Sequence, residues 1–410
     1  MIQKIKKNFY VVGMNIYTMI MERFIKRDDE IVLLGAWMGT KFADNTRYLF
    51  QYLADSNNVY KCKKAIWITR DETVNEILNQ MGYSSFLVNT KESKFWHLKS
   101  GIHIICNAAF STNNYEPDID VRYSWGAKKV QLWHGIAIKK FGAMSNEKEQ
   151  NQNSRKNLKE RIKNIRIIKK ITTLGGWSEE YVLCTSNKAS KINRDMMQCP
   201  EDRLFISSYP RDCECIRLLK TEESVISLIK EHKFSVLYLP TFRQDQNEYI
   251  HPMDNEFFVD YLLEKDILWV EKPHAISKDL MIKDTNKKNV LLLDKNFDIN
   301  VLLKVVDSVI SDYSSVIYDG ILLRTPVIIY APDIDIYAKG KNGLLFDIRE
   351  NFSSILSENI EELQEDISRL IQEKFWSEDV ENLYRKTIDV FFDNQERSYD
   401  KIWNDIVSLK

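Results

Sequence analysis

Short apolar runs without alternation recur from Ile31 onward and are separated by stretches long enough for a helix. Such runs are typical of strands that are buried on both faces of a parallel sheet. The first half contains EIVLLG, AIWIT, SSFLVNT, HIICNAA, KVQLWHG, YVLCTS and RLFISSYP, and the part after Pro210 contains FSVLYLP, ILWVEKPH, NVLLLD, DSVISDYSS and PVIIYAP. Two successive βα assemblies predict an α/β protein with two doubly wound, Rossmann-like domains that face each other across a cleft.

This pattern divides the chain into four parts. We predict an N-terminal helix over residues 1–30, a first α/β domain over 31–212, a second α/β domain over 213–375 and C-terminal helices over 376–410. The boundary between the two α/β domains is expected between Pro210 and Val225, where the apolar pattern stops and then restarts.

Two segments raise the possibility of membrane contact. The N-terminal stretch has a basic start, but its apolar run from Phe9 to Met21 is shorter than the about 20 residues that span a bilayer. It predicts a helix that either packs on the protein's own core or lies in a membrane interface. Residues 155–170 hold eight basic and one acidic residue around an apolar stripe, which predicts a helix that is either solvated or held on an anionic membrane.

Composition narrows the function classes. The 410 residues contain 58 Lys+Arg and 59 Asp+Glu, a formal net charge of −1, which argues against a nucleic-acid binder. Six Cys without metal-type spacing predict no zinc site and no disulfide framework, as in a reducing cytoplasm. The usual P-loop, dinucleotide and serine-hydrolase motifs are absent from the sequence.

Candidate chemistry follows the apolar runs, because ligands of doubly wound folds collect at the carboxyl ends of the strands. The polar residues at these predicted strand ends are His134 with Gly135 and Lys139, Thr241 with Arg243, His274, and Ser314 with Ser315 and Asp319. The imidazole of His134 is suited to take a proton from a hydroxyl near pH 7. Arg243, His274 and the serine turn before a helix are suited to hold phosphate oxygens.

Each of these features alone is more often structural, but their coincidence at several strand ends favours a site for a phosphorylated ligand. The remaining histidines, at positions 97, 103, 232 and 251, are interpreted as structural. Asp333-Ile334-Asp335 is compatible with a metal site or with a turn, and no cluster has convincing metal spacing.

Several blocks resemble, in order, those of the CDP-glycerol glycerophosphotransferase family of teichoic-acid synthesis. They are GAWMGTKFADNTRYLFQYL, QLWHGIAIKKFG, SSYPRDCE, YLPTFRQD, KPHA and ISDYSSVIYDGILLRTPVIIYAPDIDIYAKGKNGLLFDI. The resemblance spans Gly35 to Asp347, and the combination of WHG with DYSSVxxD carries most of its specificity. This chain departs from the family at Ile136-Ala137-Ile138, where Thr-Pro-Leu is frequent, and we expect that difference to bear on acceptor fit.

The resemblance implies a GT-B fold without a cofactor or metal, in which residues 31–212 form the acceptor-side domain and residues 213–375 the donor-binding domain. It implies transfer of glycerol phosphate or ribitol phosphate from a CDP-alditol to a hydroxyl of a lipid-linked glycan or polyol-phosphate acceptor, with release of CMP. The enzyme would bind peripherally to the cytoplasmic face of a bacterial membrane. Whether it forms a homo-oligomer is left open by the sequence. The alternative is a GT-B glycosyltransferase that uses a nucleotide sugar, and a membrane scaffold without catalysis is a further rival.

The resemblance also assigns roles to residues. His134 would be the base, with Gly135 and Asn45 on the acceptor side. His274 would lie near the diphosphate. The remaining donor or phosphate contacts would be Lys139, Thr241, Arg243, Ser314, Ser315 and Asp319.

Overall fold

The computed structural model describes residues 2–55, 62–107, 109, 116–145, 166–241, 251–272, 289–340, 343–393 and 396–410, with side chains from residue 8 onward. Its strands form two sheets in which all recorded strand pairs are parallel. The predicted pair of doubly wound domains is therefore confirmed.

The first sheet has seven strands in the order β3-β2-β1-β4-β5-β6-β7. They are β1 (Asp28–Leu34), β2 (Lys64–Thr69), β3 (Ser85–Leu87), β4 (Ser100–Ile105), β5 (Lys128–Gln131), β6 (Tyr181–Cys184) and β7 (Leu204–Ile206). The order reverses at β1, which pairs with both β2 and β4. Such a reversal opens a crevice at the carboxyl ends of the strands.

The second sheet has six strands in the order β10-β9-β8-β11-β12-β13. They are β8 (Phe234–Leu239), β9 (Ile267–Glu271), β10 (Val290–Leu292), β11 (Ser308–Ser311), β12 (Val327–Tyr330) and β13 (Leu356–Ser357). The two-residue β13 has no counterpart among the predicted runs, because so short a strand carries no periodic signal. The reversal here lies between β8 and β11.

Helices cover both sheets. They are α1 (Ile2–Met21), α2 (Asp44–Ala54), α3 (Glu72–Gln80), α4 (Lys91–Lys99), α5 (Arg166–Thr172), α6 (Asn187–Met197), α7 (Lys220–Ile229), α8 (Glu256–Glu264), α9 (Val316–Leu323), α10 (Ile334–Lys339), α11 (Ile348–Phe352), α12 (Ile360–Ile371), α13 (Glu378–Phe392) and α14 (Tyr399–Ser408). Side-chain caps start many of them; Asp71, for example, accepts from the Val74 N–H at the start of α3.

The chain end returns to the first domain. Trp403 and its neighbours on α14 are buried in the hydrophobic cluster of the first sheet. Ser207, which follows β7, donates a 2.7 Å hydrogen bond to Asp405. Helix α14 therefore packs the C-terminal residues against the first domain.

The two domains also meet directly beside the cleft. Lys139 pairs antiparallel with Leu344, and the Leu345 N–H donates to the Ile138 carbonyl at 2.8 Å. Ile136 and Ile138 are buried in the hydrophobic cluster of the second sheet. The departure at Ile136 to Ile138, expected to bear on acceptor fit, thus lies in the contact between the domains.

The N-terminal helix α1 packs on the first domain by a polar face. Asn15 donates to the carbonyls of Ile171 and Thr173 at 2.9 and 3.0 Å and accepts from the Gly175 N–H, and Thr18 donates to the Arg122 carbonyl. None of the described helices is both long enough and apolar enough to cross a membrane.

Candidate active site

A cavity of about 230 Å³ lies between the carboxyl ends of the two sheets. Its first-domain lining includes Trp37, Lys41, Asp44, His134, Lys139 and Arg211, and its second-domain lining includes Thr241, Lys272, Asp298, Ser314, Ser315 and Asp319. The structure thus brings together His134, Lys139, Thr241, Ser314, Ser315 and Asp319 from the sequence-predicted set.

His134 lies in the loop after β5, between two indole rings. Its ring centroid is 4.2 Å from that of Trp133 and 5.6 Å from that of Trp37. Nδ1 lies 3.4 Å from the Cys106 carbonyl oxygen. Because a carbonyl only accepts, this contact favours the Nδ1–H tautomer and leaves the Nε2 lone pair for a proton. Burial lowers the pKa of His134 below its usual value, which keeps the imidazole neutral near pH 7 and so able to accept a proton.

Gly135 allows the second domain to approach His134 closely. Its φ is +148°, and a Cβ at this position would lie 2.4 Å from Ser315 Oγ and 2.6 Å from Ser315 Cβ. Only glycine leaves that space for the serine. The predicted acceptor-side residue Gly135 is therefore a point of contact between the two domains.

Arg211 bridges the two domains inside the cavity. It donates to Asp44 Oδ1 at 2.6 Å and to both Asp319 oxygens at 2.8 and 3.1 Å. Burial raises the pKa of Asp319, while the Arg211 charge opposes that rise. The bridge fixes the first turn of α9 relative to the first domain.

Asn45, predicted on the acceptor side, is fully buried behind this bridge. Its amide donates to the Trp133 carbonyl at 2.9 Å and accepts from the Arg211 N–H at 3.3 Å. Both polar atoms of the amide are thus hydrogen-bonded to backbone groups, so Asn45 positions the loops that carry His134 and Arg211.

A second buried ion pair links the domains behind the cavity. Arg47 donates to Glu222 at 2.5 and 2.7 Å, and its Nη1 lies 3.5 Å from Asp298. Asp298 also accepts from the Asp44 N–H at 3.2 Å. These ion pairs and hydrogen bonds consequently join the two domains along one side of the cleft and restrict their relative movement there.

Two lysines add positive charge to the cavity. Burial, with the charge of Lys272 nearby, lowers the pKa of Lys41 to about 8, and burial also lowers the pKa of Lys272. Lys41 Nζ donates to the Lys295 carbonyl at 2.7 Å. Since each ammonium raises the free energy of the other, an anion between them would be stabilised.

The serine turn lies where the sequence predicts it. Ser314 and Ser315 follow β11, and Ser315 precedes the first residue of α9. Thr241 lies beside this turn, and its N–H donates to both oxygens of Asp312 at 3.0 and 3.1 Å. Backbone N–H groups at a helix start attract phosphate oxygens.

Arg243 and His274 lie outside the described residues, and so do residues 155–165 of the predicted basic helix. Of that helix, the structure describes the portion within α5. The roles of Arg243 and His274 stay predictions.

Other candidates have structural surroundings. His97 and His103 are buried, and the Nε2 of His103 lies 3.0 Å from the His97 carbonyl. Asp333 accepts from the Tyr313 hydroxyl, whereas Asp335 is paired with Arg349. Across the described residues, no group of three or more His, Cys, Asp or Glu side chains could hold a metal ion.

Sequence reasoning missed several cavity residues. They are Lys41, Asp44, Arg211, Lys272 and Asp298. Arg211 and Lys272 follow predicted strands directly, in RLFISSYPRD and ILWVEK, so their position was a usable signal. Asp44 is the first residue of α2 and Asp298 lies in a loop, and nothing in the local sequence distinguishes them from capping residues.

Two doubly wound domains that face each other across a cleft with a buried histidine define a transferase of the GT-B type. The fold matches a solved structure of the wall teichoic acid polymerase TagF, with a TM-score of 0.67 at 17% identity over 99% of this chain and 97% of that chain. This likeness confirms the predicted GT-B fold.

The chain belongs to the CDP-Glycerol:Poly(glycerophosphate) glycerophosphotransferase family, whose model matches residues 15–408. It is 23% identical over 343 residues to a teichoic acid poly(glycerol phosphate) polymerase of Bacillus spizizenii, covering 80% of each chain. It is 24% identical over 355 residues to a teichoic acid glycerol-phosphate transferase of Staphylococcus aureus, covering 80% of this chain and 81% of that one. The predicted family and enzyme class are confirmed.

Proposed function

We propose that this enzyme transfers glycerol phosphate, or alternatively ribitol phosphate, from a CDP-alditol to a hydroxyl of a membrane-linked acceptor in teichoic-acid or related surface-polymer synthesis. The observation that carries the proposal is the cavity that joins His134 of the first domain to the serine turn of the second. Ribitol phosphate stays open because relatives named as ribitol-phosphate polymerases also match the chain.

The proposed reaction is an in-line displacement at phosphorus. His134 Nε2 takes the proton of the acceptor hydroxyl as its oxygen attacks the phosphorus of the glycerol phosphate. The bond from that phosphorus to the bridging oxygen breaks, and CMP leaves with the electron pair. The α9 start at Ser314 and Ser315, with Lys272, stabilises the charge that grows on CMP. Arg243 and His274 are expected to share this role.

The direct test is release of CMP from CDP-glycerol in the presence of an acceptor. His134→Ala should abolish turnover while CDP-glycerol still binds, because the base touches the acceptor rather than the donor. His232→Ala is a suitable control, since His232 lies near Asp266 on the surface of the second domain. Near-normal turnover of His134→Ala would refute the assignment.

A donor screen separates the rival functions. Binding of a ligand to the folded state raises the midpoint of thermal unfolding. We expect CDP-glycerol or CDP-ribitol to raise this midpoint more than UDP-sugars do. A larger shift with a UDP-sugar would favour the glycosyltransferase, and no shift with any donor would favour a scaffold.

We also propose that the enzyme works peripherally at the cytoplasmic face of the membrane, through the outer face of α1. Because α1 docks by Asn15 and Thr18, several of its apolar residues point outward: Phe9 is 76% exposed, and Phe24, just beyond the end of α1, is 78% exposed. Ile16, Met19 and Ile20 are also exposed on this helix, and Ile167 is exposed on the adjoining α5. Arg23, Lys26, Arg166, Lys169 and Lys170 on the same segments of the chain are also exposed. Of these, Arg166 is paired with Glu179 and Asp202.

An apolar face with a cationic rim fits the interface of an anionic bilayer. In a vesicle sedimentation assay, the protein should bind phosphatidylglycerol vesicles more tightly than phosphatidylcholine vesicles. Phe9→Ser with Phe24→Ser should weaken binding at least tenfold, since each side chain contributes roughly 1.5–3 kcal/mol on burial. The control Phe257→Ser removes a side chain that is 85% exposed on the second domain. Equal binding of all variants would refute the membrane proposal.

A further inference from the structure

Asp118 is a fully buried carboxylate to which the proposed reaction assigns no role. It lies between β4 and β5 in the sequence and is not part of the lining of the cavity at His134. Its Oδ2 accepts hydrogen bonds from the backbone N–H groups of Cys106 and Asn107 at 3.1 and 2.8 Å. Its Oδ1 accepts from the Met38 N–H at 2.8 Å. The side chain therefore joins the loop after β1 to the loop after β4.

A single peptide group connects this carboxylate to His134. The Asn107 N–H belongs to the same peptide group as the Cys106 carbonyl, whose oxygen lies 3.4 Å from His134 Nδ1. A carboxylate that accepts from the N–H of a peptide group polarises it, so that more negative charge resides on the carbonyl oxygen. Such an oxygen is a stronger acceptor for Nδ1–H, and stronger still when the ring is an imidazolium. Because 3.4 Å is longer than an ordinary N–H···O bond, this contact depends on that polarisation.

The other oxygen of Asp118 acts on His134 through the indole of Trp37. Trp37, Met38 and Gly39 have φ values of +45°, +59° and +72°. Consecutive residues in this region are costly for non-glycine side chains and persist only where the surroundings hold them. The bond from the Met38 N–H to Asp118 is one such restraint, and the Trp37 ring contacts that of His134 with a centroid distance of 5.6 Å. Asp118 thus restrains both the ring that packs on the base and the carbonyl that faces its Nδ1.

Other charged groups also act on His134. Burial has the largest effect on its pKa and lowers it, Asp44 and the Cys106 carbonyl raise it, and Arg211 and Lys139 lower it. The remaining charged groups around these side chains are Lys41, Lys272, Asp298 and Asp319 in the cavity, and Arg70, Glu116 and Asp120 near Asp118. The Cys106 carbonyl differs from Asp44 because it is hydrogen-bonded to the ring and therefore decides which nitrogen carries the proton.

We propose that Asp118 is a positioning residue that acts through the peptide group of Cys106 and Asn107 to hold His134 as the Nδ1–H tautomer and to stabilise its imidazolium. No proton crosses the peptide group: the proton of the acceptor hydroxyl moves to Nε2, and Nδ1 keeps its own. The inference rests on the proposed function, because it explains how the base of that reaction is oriented. Asp118 itself contacts backbone groups of the protein and not the substrate.

Nitrogen-15 NMR of the full chain, labelled at histidine, tests this without turnover. Comparison with the spectrum of His134→Asn identifies the His134 signals, and the neutral ring of the parent should be mainly the Nδ1–H tautomer. Asp118→Asn keeps the size of the side chain and removes its charge. We expect it to increase the Nε2–H population and to lower the pKa of His134, since a neutral amide polarises the peptide group less.

A matched control is Asp307→Asn. Asp307 also accepts from a backbone N–H, that of Ser235 at 2.7 Å, but it precedes β11 in the second domain. This variant loses a carboxylate of the same kind and should leave the tautomer and the pKa of His134 unchanged.

Kinetics supply a second measurement. Asp118→Asn should lower kcat for CMP release by at least about tenfold, because part of the neutral imidazole would carry its proton on the wrong nitrogen. The acid limb of its pH profile should move to lower pH, whereas the Kd of CDP-glycerol should match that of the parent. A role limited to the stability of the fold would move neither the tautomer nor the acid limb.

The outcomes separate this inference from the proposed function. An Nε2–H tautomer of His134 in the parent overturns the inference, and this measurement suffices even if Asp118→Asn does not fold. An unchanged tautomer and pKa of His134 in a folded Asp118→Asn variant also overturn it. If His134→Ala retains turnover while the tautomer of His134 still depends on Asp118, the base assignment fails and the positioning contact stands.

Discussion

Replacing Gly135 by alanine should separate the two walls of the active site. A Cβ at this position would lie 2.4 Å from Ser315 Oγ, whereas ordinary contacts of a Cβ begin at 3.4 Å. Ser315 Oγ can rotate away, but Ser315 Cβ at 2.6 Å is fixed to the backbone, so the serine turn and the His134 loop must separate by about 3.4 − 2.6 = 0.8 Å to reach an ordinary contact. A misplacement of about 1 Å in a reacting geometry costs roughly 100-fold in rate. We therefore expect the turnover number for CMP release to fall by roughly 100-fold.

The assay compares the turnover number with thermal stability. Gly135→Ala should lower kcat much more than it lowers the unfolding midpoint, because the clash lies in the cleft and not in either core. The matched control is Gly82→Ala: Gly82 has a φ of +86°, but no atom lies within 4 Å of a Cβ placed there. It also places an alanine at positive φ, but without the clash. A kcat for Gly135→Ala within threefold of that for Gly82→Ala would refute the reasoning.

Three further predictions concern pH and stability. Burial lowers the pKa of His134, and the base must be neutral to accept a proton. The acid limb of the kcat/KM profile should therefore have its midpoint below the ordinary histidine pKa of about 6.5. A midpoint above about pH 7 would contradict this role. Glu222→Gln leaves the buried Arg47 with only the more distant Asp298 carboxylate, so urea unfolding should show a loss of roughly 3 kcal/mol, and an unchanged midpoint would argue against the pair. Burial raises the pKa of Asp212 to about 7. Since this exceeds the unfolded value of about 3.9, ionisation destabilises the fold as pH rises from about 4 to 7, by up to about 4 kcal/mol. Asp212→Asn should therefore match the parent in urea unfolding near pH 4 and exceed it at pH 8, and no gain at pH 8 would contradict the shift.

Much of the fold was predictable because strands buried on both faces leave a continuous apolar run in the sequence. Each of the twelve predicted runs overlaps one strand of the structure. The two-residue β13 was not predictable, since its pairing with β12 comes from the position of the chain beyond that strand. Helix α1 was predictable as a helix, but not which of its faces would be buried.

The candidate site was predictable where a polar residue follows a strand. His134 and the Ser314–Ser315 turn were found this way, because every parallel strand delivers its next residues to the same edge of the sheet. The same rule covers Arg211 and Lys272, which sequence reasoning passed over. For Asn45, sequence resemblance indicated the acceptor side, and the structure places it behind the site as a support for two loops.

The sequence by itself determined the family, the two α/β domains and the strand ends that carry the candidate site residues. Each of these can be recognised from residues that are close together in the sequence. Only the tertiary structure decided which distant positions meet. Arg211 and Asp319, 108 residues apart, form the bridge that holds the cleft. Gly135 faces Ser315 of the other domain, and α1 buries its polar side and leaves its apolar side exposed. Such pairings depend on how two independently folded sheets dock, and docking is set by complementary surfaces rather than by local periodicity.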